Sequence, residues 1–360
     1  MTQTDVRTTL PPAAFWCPID PAEHPRASDL GDVALKWVGR YGLEDDPDQL
    51  RRLEQADFGG LTALTMPEGH YEPLRMMASL HATLFAFDDG VCDEGQVPPG
   101  ELAAQTSRIL RLLESADPPG PEDSVFARAL REIRVGLEPY ASEDQLRYWV
   151  RSMERYLTSL VTEAEQRRAP GLPSLEEYVP MWMGAIGMAP STALIPITAG
   201  YEVSPEDLER PRVRALTEMT WTLVAWDNDL YSRAKEIERA GDTLNLIDVL
   251  AHERNCSLEQ AQLEAVALRD RVQALFLRLR EQTAATAGPQ LRAYLDGLAQ
   301  FVRGHLDWAS ACARYKAGRR EAADGTTEGW WKSAPDDALN EPVPVASIAW
   351  WWDQLEPQGA

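Results

Sequence analysis

Apolar residues recur along most of the chain at intervals of three and four, the spacing of one helix face. Leu30, Val33, Trp37, Val38 and Tyr41 form one such stripe. Leu74, Met77, Leu80, Leu84 and Phe87 form a second. Tyr148, Val150, Met153, Tyr156, Leu157, Leu160 and Val161 predict a long helix running through about Arg168. Leu263, Val266, Leu268, Val272, Leu275, Phe276 and Leu279 predict another. Alternating runs closed by hairpin turns, the mark of strands, are missing. Pro, Gly and Asp clusters at 117–121, 169–173, 203–205 and 241–242 punctuate the pattern and separate helices rather than domains. The expected fold is a single all-α domain, a helical bundle.

The two ends differ from this body, which spans 15–316. Residues 1–14 are polar and expected to be disordered. Residues 317–360 form a C-terminal tail. It is rich in Gly, Pro and charge up to 347, holds Trp330-Trp331, and leads to Trp350-Trp351-Trp352. Five tryptophans do not belong in solvent. They serve either as a stabilising strap docked on the body or as a lid that excludes water from an active site.

Composition narrows the function. Hydrophobic residues make up 44% and charged residues 26%, as in a water-soluble globular protein. The formal net charge of -22 argues against nucleic acid or an anionic membrane surface, since both need clustered Lys and Arg. It leaves an anionic ligand open, because bound cations reverse the local sign. Cys17, Cys92, Cys256 and Cys312 make no CxxC pair and are expected as free thiols in a reducing cytoplasm. No signal-peptide order is seen at the N-terminus. No apolar run approaches the roughly 20 residues of a membrane span, so membrane insertion is not expected. The five histidines lack zinc spacing. GxGxxG, Walker A and GxSxG patterns are absent.

Candidate chemistry lies in two acidic segments. Asp88-Asp89-Gly90-Val91-Cys92-Asp93-Glu94 follows the apolar run Leu84-Phe85-Ala86-Phe87. If the helix continues, Asp89 and Asp93 share a face. Carboxylates crowded beside an apolar wall are costly without a cation. Magnesium takes one or two carboxylates and completes its octahedron with water and phosphate oxygens. A solvated helix end would read the same way, so this cluster alone is ambiguous. In the second segment Asn228, Ser232 and Glu236 recur at i, i+4 and i+8 and line one helix face with hard oxygen donors. The apolar stretch 219–226 precedes them, and Lys235 stands next to Glu236.

Together these segments resemble the class I terpene synthases, which carry a DDxxD or DDxxxD/E motif and a later NDxxSxxxE motif. Asp88, Asp89 and Asp93 match the first; Asn228, Ser232 and Glu236 match the second. Arg314-Tyr315, preceded by Trp308, is similar to the family's C-terminal Arg-Tyr pair. The opening Phe15-Trp16-Cys17-Pro18, then Trp37 and Gly42-Leu43, also fit bacterial members. The resemblance covers 15–316. It implies three magnesium ions held between the two motifs and a prenyl diphosphate substrate. Arg314, Tyr315 and Lys235 would bind the diphosphate. Ionisation would then leave an allylic cation inside an apolar cavity. Pocket walls are expected from Phe85, Trp182, Ile186, Trp221 and Trp308, with ordinary core packing as the alternative for each.

One departure stands out. The family's diphosphate-sensing arginine, four residues after a Tyr, falls here on Trp182, following Tyr178. The linker aspartate falls on Ala185, the effector position on Ile186, and Gly187 breaks the helix. The segment 172–200 holds neither Arg nor Lys. Tryptophan cannot make the bidentate bonds that Arg gives phosphate. The expected activity is magnesium-dependent cyclisation of farnesyl diphosphate to a sesquiterpene. A diterpene synthase using geranylgeranyl diphosphate and a non-catalytic isoprenoid-binding homologue are the alternatives. A monomer and a homodimer both remain open.

Overall fold

The structure is a computed structural model and describes residues 10–44, 46–93, 97–115, 118–240, 243–315, 320–321, 325–335 and 341–356, with backbone alone for 93 and 238–240. Helix starts are set by polar caps placed where the apolar stripes begin. Ser142, Ser174 and Ser257 each accept a bond from the third helical N–H, and the Gln145, Glu177 and Gln260 side chains return it. Such reciprocal capping satisfies N–H groups that a helix start otherwise leaves unpaired.

The first part of the chain forms α1 (Ala27–Tyr41), α2 (Pro47–Glu54), α3 (Phe58–Thr65), α4 (Tyr71–Phe87), α5 (Pro99–Glu114) and α6 (Val125–Leu137). The middle forms α7 (Glu143–Arg168), α8 (Leu175–Ala185), the short α9 (Met188–Thr192), α10 (Ile195–Ala199) and α11 (Pro205–Glu209), then the long α12 (Pro211–Ala240). After it come α13 (Leu246–Arg254), α14 (Leu258–Thr286), α15 (Pro289–Ala311) and the one-turn α16 (Ala346–Ala349). Among the described residues there is no β-strand, only two isolated bridges. The all-α expectation holds, and the four predicted stripes fall on α1, α4, α7 and α14. Leu263 is an exception. It lies on α14 but points outward and is 71% exposed, because Ala261 and Ala265 define the inward face there.

Helix α12 runs through the middle, packed on α8, α14 and α15; α4 faces α1, α3 and α6. Close approach depends on a missing side chain at Gly304, where a Cβ would stand 2.0 Å from the Leu64 carbonyl oxygen. Trp149, Trp226 and Trp308 are almost fully buried. Burying side chains of this kind stabilises by roughly 1.5–3 kcal/mol each.

The tail is a docked strap. Phe15 N–H donates to the Trp330 carbonyl at 2.8 Å, and Lys332 N–H donates to the Phe15 carbonyl at 2.9 Å. The Trp330 ring lies 4.7 Å from Phe15 and 5.9 Å from Tyr231. Glu176 on α8 accepts the free N–H groups of Ala346 and Ser347 at 2.6 and 2.9 Å. Trp351 is buried, and its indole N–H donates to Glu218 at 3.2 Å. The expected disorder of 1–14 fails for 10–14: Ala13 is buried, and Gln262 donates to the Pro11 carbonyl at 2.8 Å. Residues 1–9 lie outside the described residues.

Candidate active site

Helix α4 ends at Phe87, and Asp88–Asp93 wind on as a π-helical turn. The expectation that Asp89 and Asp93 share an α-helical face therefore needs correction, because π winding bonds i to i+5 and turns the carboxylates differently. Asp88 lines a central cavity. Asp89 is buried and receives both terminal nitrogens of Arg314, at 2.9 and 2.7 Å. The side chain of Asp93 lies outside the described residues.

The second segment lies on α12, across the cavity. Asn228 and Glu236 line it, whereas Ser232 is buried behind and donates its hydroxyl to Asn228 Oδ1 at 3.3 Å. Asn228 donates to the Tyr231 hydroxyl at 3.2 Å, which pairs with His305 Nε2 at 3.0 Å. Other faces of the same helix are clamped by buried charge. Arg233 grips Asp248 on α13 at 2.6 and 2.8 Å, and Arg269 on α14 grips Asp227 at 2.7 and 3.3 Å. Asp229 accepts both contacts from the Tyr178 hydroxyl, at 3.0 and 2.9 Å, and a weak one from Leu246 N–H. Burial, then the nearby Glu236, pushes the Asp229 carboxyl well above the usual carboxylate range. Asn245, which caps α13, reaches the Asp229 carbonyl at 3.1 Å and Glu236 at 3.4 Å. Tyr178, Asp229 and Asn245 were not singled out from sequence as site residues. The Asp within the NDxxSxxxE stretch was the available signal.

Arg314 and Tyr315 sit in the 3-10 turn after α15. Burial opposes the charge on Arg314, but Asp89 outweighs it and holds the guanidinium above its ordinary pKa. Lys235 Nζ lies 5.3 Å over the Tyr315 ring, and Arg314 lies 5.5 Å over Phe85. All three cationic or phenolic groups line the cavity with Asp88, Asn228 and Glu236.

The cavity has an empty volume of about 1030 Å³, open solvent at its mouth included. Phe85, Trp182 and Ile186 form part of its wall, with Leu84, Val224 and Phe301. Trp221 and Trp308 do not reach it. Trp221 donates to Thr192 at 2.8 Å, because the chain breaks at Gly187 (φ 76°) and wedges α9 between that indole and the cavity. Trp308 stands behind Phe85, edge-on at 6.0 Å, and donates to the Ala56 carbonyl at 2.7 Å. Trp182 is pinned by a 3.2 Å bond from its indole N–H to the Ala225 carbonyl. None of the described tail residues lines the cavity.

Among the described residues no three carboxylate, imidazole or thiol groups converge on one point. The oxygen donors Asp88, Asn228 and Glu236 instead share the lining of one open cavity with Arg314 and Lys235. That set suits a hard cation completing its shell with water and anion oxygens, rather than a closed protein cage.

Fold and site together define an all-helical protein with a largely apolar chamber whose mouth gathers carboxylate and amide oxygens with cationic side chains. The family described as terpene synthase family 2, C-terminal metal binding, matches residues 79–274. Bonnadiene synthase of Allokutzneria albata is 34% identical over 357 residues, spanning 96% of this chain and 97% of that one. (+)-T-muurolol synthase of Streptomyces clavuligerus, named as cyclising (2E,6E)-farnesyl diphosphate, is 33% identical over 95% of this chain and 82% of its own. The crystal structure of a mutant SVS_A2 protein from ancestral sequence reconstruction superposes with a TM-score of 0.85 at 31% identity. It covers 96% of this chain and 99% of that one. The chain belongs to the bacterial class I terpene synthases. It is an enzyme, which removes the non-catalytic alternative. Among the described residues no helix is long and apolar enough to cross a membrane.

Proposed function

We propose that the protein ionises farnesyl diphosphate in a magnesium-dependent reaction and cyclises the resulting allylic cation to a sesquiterpene. The observation that carries this reading is the pairing, across one cavity, of Asp88 with Asn228 and Glu236, beside Arg314, Tyr315 and Lys235. Asp88, Asp89, Asp93, Asn228, Ser232 and Glu236 would hold three magnesium ions. Magnesium, when bound, neutralises and polarises the diphosphate leaving group. The chain's own groups do the rest. Arg314 and Lys235 attract the diphosphate, and the Tyr315 hydroxyl donates to it. Phe85 and Trp182 supply aromatic rings to the wall, where a ring facing the cation would stabilise positive charge by roughly 0.5–2 kcal/mol. Leu84, Ile186, Val224 and Phe301 keep water from the cation.

The test is incubation of the purified protein with magnesium and geranyl, farnesyl or geranylgeranyl diphosphate, with pyrophosphate and hydrocarbon products measured. Farnesyl diphosphate is expected to turn over fastest and to give cyclic products of that chain length. Faster turnover of geranylgeranyl diphosphate would move the assignment to a diterpene synthase. No pyrophosphate release from any of the three would sink the reading.

A further inference from the structure

We infer that Arg167, from a neighbouring helix, holds the diphosphate in place of the arginine missing at position 182; the inference rests on the function proposed above. Arg167 lies in the last turn of α7, which packs on α8, the helix carrying Trp182. It lines the same cavity as Lys235, Arg314, Asn228 and Glu236. Among the described residues that line the cavity, Arg167, Lys235 and Arg314 carry a permanent positive charge. Helix α8 contributes none, and its wall residues Trp182, Ala185 and Ile186 are apolar.

The position of Arg167 and its ion pair favour the role. Glu163, one turn earlier and 2% exposed, binds Arg167 at 2.8 Å. Glu163 also acts electrostatically on the Tyr178 hydroxyl, together with Asp229 and Glu236. Arg167 shares the cavity lining with Asn228 and Glu236 of α12. Arg167 remains partly exposed at 20%, as a ligand-facing group at a mouth must. Arg314 already gives both terminal nitrogens to Asp89, so a second guanidinium in the cavity lining adds a planar cation that Lys235 does not supply. Glu163 is a positioning residue: its carboxylate fixes the Arg167 side chain along the helix.

Isothermal titration of inorganic pyrophosphate into the protein with magnesium tests this without turnover. Arg167→Gln is expected to weaken pyrophosphate roughly 10- to 100-fold, the loss of a charge-assisted bond. Arg168→Gln, an exposed neighbour with the same change in net charge, is expected to stay within about twofold. Arg167→Lys keeps the charge, guards against loss of folding, and should fall between wild type and Arg167→Gln. With farnesyl diphosphate, KM should rise in Arg167→Gln and recover partly in Arg167→Lys. Pyrophosphate binding equal in wild type and both Arg167 variants would overturn the inference while leaving the function standing. Equal weakening by Arg168→Gln would also overturn it, as a general charge effect. Absence of pyrophosphate binding in the wild type would instead fault the function itself.

Discussion

At the scale of single residues, donor type mattered more than acidity. Asn228, Ser232 and Glu236 were legible because three unlike oxygen donors at a spacing of four rarely arise as a plain solvated face. Their supports were not legible. Tyr178 meets Asp229, and Arg314 meets Asp89, across sequence separations of 51 and 225 residues, which no local pattern encodes. The aromatic assignments divided for a related reason. Indole is equally at home facing a cavity or one layer behind it, so Trp182 and Trp221 look alike until α9 is placed. Glu236→Gln keeps shape and removes one anionic donor. It should lower pyrophosphate release from the substrate by roughly 100-fold or more while leaving helicity and melting unchanged. Near-normal release in that variant would exclude Glu236 as a metal ligand.

At the scale of elements, helices with strong apolar stripes were predicted well, α7 above all. The π-helical turn at Asp88–Asp93 was not, because an inserted residue leaves apolar periodicity upstream untouched. Helix α12 bears the second motif and is held by ion pairs on its remaining faces. Such pairs add little against a well-packed apolar substitute, but breaking one partner strands a buried charge. Asp248→Ala should therefore cost about 3–5 kcal/mol in urea unfolding, since it leaves the buried Arg233 guanidinium without that carboxylate. A cost below about 1 kcal/mol would show that the Arg233–Asp248 clamp does not hold α12 in register.

At the scale of the whole molecule, the all-helical single domain was readable from periodicity, while the tail's role depended on surfaces far away in sequence. The buried histidines give the molecule a predictable acid response. Burial lowers His81 and His305 from 6.5 to about 3, so both rings stay neutral in the fold. Unfolded, they take up protons near 6.5. The unfolded chain thus binds more protons below that pH, and stability is lost as pH falls from about 6.5 toward 3. Each ring should contribute roughly 2 kcal/mol of loss by pH 5. The melting temperature should drop over that interval, with a shallower slope in His81→Asn. An unchanged slope would mean His81 does not carry the effect.

The main-chain pairing of Phe15 with Trp330 and Lys332 joins segments roughly 300 residues apart, so the first ordered stretch to leave the ribosome is among the last to find its place. At ordinary synthesis rates that wait lasts on the order of tens of seconds. Throughout it Phe15 lacks its aromatic partner, and from its own synthesis onward the Tyr231 ring lacks the Trp330 cover. The nascent chain thus carries an apolar edge that closes late, after nearly all of the other helices have been made.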